Sequence, residues 1–170
     1  MRRLLFFFIF MVTLVPNSYS KIVYIDINLV LNQSEIGKIL NDYINSKNNE
    51  NTLKYKKVEA VLLNKEKSLI AQQNILDEGE FKKKLNLLSE EIKNFRKDKK
   101  QSLENLNNIK IENTKKILSF LNPIITNYVD KNSISLVIPK KNIVVGKTDL
   151  DITNKIISLL NDQKNILNLK

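Results

Sequence analysis

A chain of 170 residues that is 42% apolar and 27% charged, with only 3 glycines and 3 prolines, fits one domain with few turns and favours extended helix over a compact globule. Histidine and cysteine are both absent, which excludes His-dependent triads, the usual zinc sites and disulfides. A formal net charge of +10 selects acidic partners, whether anionic lipid, acidic polypeptide or nucleic acid.

Arg2 and Arg3 precede an apolar run from Leu4 to Val15 broken only by Thr13, and Ser18 and Ser20 supply small residues before Lys21. Residues 1–20 thus read as a cleaved signal peptide, too short for a bilayer span of about 20 apolar residues. The chain from Lys21 keeps 26 basic and 18 acidic residues, a net +8. Export argues against nucleic acid as its partner. Without cysteine in an oxidising compartment, stability must come from burial and from partner subunits.

"KIVYIDI", Lys21 to Ile27, is dominated by β-branched residues and predicts a strand buried on much of both faces. A helix is expected from about Leu29 to Ile44, followed by a polar loop or a loosened helical turn at "NSKNNENT", Asn45 to Thr52. Residues 21–50 form the first part of a body.

The strongest periodicity lies in residues 51–120, the expected arm. Tyr55, Leu62, Leu69 and Leu76 stand seven apart, while Phe81, Leu85, Leu88, Ile92 and Phe95 follow a 4-3-4-3 spacing, the seam of a coiled coil. Leu76 with Phe81, Leu69 with Leu88 and Leu62 with Phe95 each total 157, so equal helical rise sets each pair at one height in an antiparallel hairpin. Its tip is expected at 77–80, with Gly79 left-handed to close a helix and Asp77, Glu78 and Glu80 placing negative charge where the return helix begins. From Tyr55 to Glu78 the helix would run roughly 36 Å.

Apolar stripes at helical spacing also occur in ordinary bundles. Here Lys65, Glu66, Gln72 and Gln73 flank the heptad leucines, and no third helix of similar length exists to cover the pair, which favours a slim exposed arm. Residues 54–80 carry five basic and five acidic side chains. Residues 81–100 carry Lys82, Lys83, Lys84, Lys93, Arg96, Lys97, Lys99 and Lys100 against Glu90, Glu91 and Asp98, a net +5. Any single lysine there is best read as solvating its helix; the collective field is the candidate binding feature.

Beyond Phe95 the pattern continues through Leu103, Leu106, Ile117, Leu121 and Tyr128, with Asn122-Pro123 expected to kink or restart the helix. "SISLVIPK" and "NIVVGK" predict a hairpin about Pro139 to Lys141, and "DITNKIISLLN" a last helix capped by Asp151 with Ile152, Ile156, Leu159 and Leu160 on one face. Residues 121–170 complete the body. The fold class is α+β, mostly α, with a small β body and a long antiparallel coiled-coil hairpin. Three short strands are marginal alone, so assembly through the sheet is expected.

"IVYIDINLVLNQSEIGKIL" resembles the opening of the OmpH/Skp family of periplasmic chaperones, and "ILSFLNPIITNYVDKNSISLVIPKKNIVVGKTDLDITNKIISLLN" is similar to its closing helix, strands and helix. The likeness covers essentially everything after residue 20. It implies a periplasmic homotrimer whose strands join in a small barrel, with three hairpins around a cavity that holds unfolded outer-membrane proteins without nucleotide. Some members are linked with lipopolysaccharide, but the basic residues of this arm do not align with that motif. The other class is an exported structural coiled coil that uses the same charge on anionic lipid or other envelope polyanions. No catalytic residue, metal ligand or cofactor site emerges: "GKT", Gly146 to Thr148, lacks the earlier glycine of a phosphate-binding loop, since Lys141 stands there.

Overall fold

The computed structural model describes residues 20–163. The expected signal peptide lies outside them, apart from Ser20. Strand β1 (Lys21–Ile25) is followed by helices α1 (Ile27–Gln33), α2 (Glu35–Ala71) and α3 (Glu78–Lys131), strand β2 (Ile134–Pro139) and helix α4 (Thr153–Asn161). Two single turns of 3-10 helix, Lys140–Asn142 and Thr148–Leu150, lie between β2 and α4.

β1 buries Val23, Tyr24 and Ile25 in succession, as a strand covered on both faces must. It stops two residues short of the expected end because Asp26 caps α1, its Oδ1 accepting the Leu29 N–H at 3.0 Å. β2 lies parallel to it, pairing Ile22 with Leu136, Val23 with Val137 and Tyr24 with Ile138.

Several local expectations are corrected. The helix expected over 29–44 is broken at Ser34, which caps α2 by accepting the Gly37 N–H at 3.2 Å. A Cβ on Gly37 would lie 1.7 Å from the Leu31 carbonyl oxygen, so the glycine lets α2 press against the backbone of α1. The Asn-rich segment 45–52 is helical rather than a loop. Helix on both sides has already met the nucleation cost, Asn loses only a few tenths of a kcal/mol against average formers (about 0.7 against Ala), and Lys47 pairs with Glu50 at 2.7 Å.

The third correction concerns the tip. The chain reverses over 72–77, Asp77 caps α3 by accepting the Glu80 N–H at 3.0 Å, and Gly79 sits in the first turn of α3 without a positive φ. An acidic cap and first turn were enough to start the helix, so no left-handed glycine was required. The fourth is the missing hairpin. After Pro139 the chain turns away through Lys140–Asn142, and residues 143–147 form no strand, leaving a two-stranded sheet among the described residues. Asp151 instead bridges Tyr24 in parallel, and its Oδ1 accepts from the Thr153 N–H rather than capping α4 at the expected position.

Pro123 does not restart the helix: α3 runs through it to Lys131. Pro123 and Ser119, whose carbonyl loses its helical donor there, both face solvent, while Leu121 and Ile124 face inward. Two apolar clusters result. The body core joins Val23, Val30, Leu40, Ile117, Leu121, Ile156 and Leu160 with their neighbours; Leu62, Leu69 and Leu88 form a second, distal one.

Candidate functional site

α2 and α3 leave the body core together, with Ile44 and Ile117 among their last side chains packed against it. At 1.5 Å per residue, the 27 residues from Asn45 to Ala71 carry the arm about 40 Å outward. Distally, Leu62, Leu69 and Leu88 are buried with Leu76, Phe81, Ile92 and Phe95 packed against them. All seven stand in the two rows read from spacing, whereas Leu85, expected in the return row, is 44% exposed and lies outside the cluster.

Polar contacts across the arm have the same register. Lys65 reaches both carboxylate oxygens of Glu91, at 2.8 and 2.6 Å, and Lys84 donates to Gln72 Oε1 at 3.1 Å. The numbers of each pair total 156, one short of the apolar pairs. Being half exposed, the Lys65–Glu91 pair adds only about 0–1 kcal/mol, and its main effect is to fix register. Nearer the body, Tyr55 packs edge-on against Phe95 with ring centroids 6.0 Å apart, and its hydroxyl donates to the Asp98 carbonyl at 3.0 Å. Composition alone gave no sign of this aromatic clasp. The Lys65–Glu91 ion pair and the Lys84–Gln72 hydrogen bond were discoverable by extending the mirror arithmetic from apolar to polar residues.

The eight candidate cations do not converge on a pocket. Lys84 is engaged with Gln72, Lys99 stands 4.0 Å from Glu59 and 5.7 Å from the Phe95 ring centre, and Lys100 is 3.7 Å from Glu104. Lys82, Lys83, Lys93, Arg96 and Lys97 are exposed, and their side chains make no hydrogen bond or ion pair to another described residue. They are solvated charges spread along α3, a field rather than a chelating site.

Apolar side chains interleave with them on both flanks. Val61 and Leu87 line one groove of about 500 Å³ with Ser68, Gln72 and Lys84. Leu63 and Ile92 line the other flank beside Arg96, and Leu103 continues it beside Lys99 and Lys100. Val61, Leu63, Ile70, Leu87 and Leu103 each keep about half of their surface in water or more, and Ile75 at the turn is 80% exposed. A two-helix arm has too little interior to hide them. The combination offers weak apolar and electrostatic contacts over a long surface, with little geometric specificity.

Such a molecule is a mostly helical chain with a two-stranded parallel base and one basic, doubled-back arm. The profile of the family described as outer membrane protein (OmpH-like) matches residues 21–160, and the chain belongs to that family. A solved OmpH-like protein from Caulobacter crescentus CB15, described as a candidate outer membrane chaperone, superposes with a TM-score of 0.77 at 12% identity, covering 85% of this chain and 86% of its own. At that identity the likeness establishes the shared fold. No curated protein matches the sequence.

Proposed function

We propose that the chain is an ATP-independent periplasmic holdase that keeps unfolded outer-membrane proteins from aggregating in a cavity between the basic arms of a homotrimer. The observation that carries this reading is the arm itself, on which exposed apolar residues alternate with unpaired cations. An unfolded chain held by many weak contacts gains avidity without any one of them fixing its conformation. Screened charges favour capture at a distance and leave the client mobile. Membership of the OmpH-like family and the fold shared with the Caulobacter protein support the chaperone reading.

Self-association has support in the body. A two-stranded sheet is marginal alone, and Ile22, Leu136, Val144 and Val145 around it are 45, 51, 100 and 88% exposed. The test is dilution of a urea-unfolded β-barrel membrane protein into buffer containing the chain from Lys21 onward, without nucleotide. Suppressed light scattering at one trimer per client is expected. Undiminished aggregation, together with tight and strongly salt-dependent binding to anionic vesicles, would replace the holdase with an envelope-binding coiled coil.

A further inference from the structure

Between β2 and α4 the chain makes an excursion, residues 140–151, that is fastened to one side chain. Tyr24 in β1 is 8% exposed; its hydroxyl donates to the Lys147 carbonyl at 3.1 Å and its carbonyl accepts the Ile152 N–H at 3.0 Å. The Lys140 ammonium lies 5.9 Å from the centre of the Tyr24 ring and 3.0 Å from Asp151, so both ends of the excursion meet there. Gly146 passes so close over the ring that a Cβ would stand 2.8 Å from Tyr24 Cε1 and 3.4 Å from Cζ. Its φ is not positive, so the glycine is required by that approach and not by backbone conformation.

The fastening sets what the excursion presents. Val144 and Val145 stand fully in water, and the amides of Val144 to Lys147 have no backbone acceptor among the described residues. On the same body, β2 has no strand along its outer edge among the described residues. One chain therefore carries both an unpaired strand edge and an unpaired segment with two bare valines. Each is what the other lacks, and two different patches joined head to tail make a heterologous contact that can close into a ring.

We propose that Tyr24 and Gly146 act as a clamp that holds residues 143–147 in position to pair with a second copy of the chain. The proposal rests on the self-association reading and adds the element that controls it. Gly146→Ala should weaken association at least tenfold, read by analytical ultracentrifugation across a dilution series. It should also speed hydrogen exchange at the Ile152 amide, which the clamp protects within one chain. In a Tyr24→Leu background, which removes the ring atoms the new methyl would meet, Gly146→Ala should add little to either effect. Val144→Ser with Val145→Ser should weaken association while leaving Ile152 exchange unchanged.

If the unaltered chain associates and Gly146→Ala changes neither readout, the clamp is refuted. The same holds if its effect is equally large without the Tyr24 ring. A chain that stays monomeric at every concentration removes self-association, and with it the proposed role of the clamp, whatever Ile152 exchange shows.

Discussion

Truncating Leu69 to alanine should loosen the arm and leave the body intact. Leu69 is 7% exposed and is one of three buried residues in the distal cluster, with Leu62 and Leu88. Removing a buried leucine to alanine costs about 2–5 kcal/mol, and the open groove beside it lets neighbouring chains or water occupy the space, which places this site near 2–3 kcal/mol. Local opening of the arm should therefore become about 30- to 150-fold more frequent. Hydrogen exchange read by mass spectrometry should accelerate by that factor between residues 55 and 100. Peptides holding Val30, Leu121 and Ile156, which belong to the separate body core, should keep their protection. Equal loss of protection in both regions would refute the division into two cores, and an unchanged arm would refute the seam.

The remaining tests address single features. Gly37→Ala forces a methyl group against the Leu31 carbonyl and should destabilise the body by about 3 kcal/mol or more, at the upper end of overpacking costs, measured by urea unfolding. Leu62→Cys with Phe95→Cys should form a disulfide within one chain, detected as a shift of the monomer band on non-reducing denaturing electrophoresis that reductant abolishes; bridging only between chains would contradict the antiparallel register. Replacing Lys82, Lys83 and Lys84 by glutamine should slow client capture several-fold at low salt in stopped-flow fluorescence, with the difference vanishing at high salt. Burial pushes the Asp151 carboxyl up, but hydrogen bonds from the Thr153 hydroxyl and amide and the ammonium of Lys140 outweigh it and hold the group below the ordinary value of 3.8. A depressed folded value means that the stabilisation is complete above 3.8 and is lost as pH falls through the lower folded value. Acid titration monitored by circular dichroism should show a body transition below 3.8 that is attenuated in Asp151→Asn.

The arm was legible because a seam of leucines repeating every seven residues has one simple geometric solution, and the mirror pairing of Leu69 with Leu88 located it. Local signals failed where tertiary context outweighed them. Asparagines at 45–52 favour turns in isolation, yet cooperative helix on either side absorbs them. Gly79 looked like a stop and serves as an interior first-turn residue because Asp77 had already supplied the cap. The glycines that matter most, Gly37 and Gly146, owe their importance to one approaching carbonyl and one approaching ring, contacts that no linear pattern encodes. The eight basic residues were readable as a count; that Lys84, Lys99 and Lys100 are partly engaged along the arm was not.

Small-angle X-ray scattering from the 150 residues that follow the expected cleavage site bears most directly on whether the prong stands free. With α3 alone spanning 54 residues, or about 80 Å, the distance distribution should extend at least that far with a long, low tail. A symmetric distribution with a radius of gyration of roughly 15 Å, that of a compact 150-residue domain, would mean that the helices collapse onto the base and leave no space for a client.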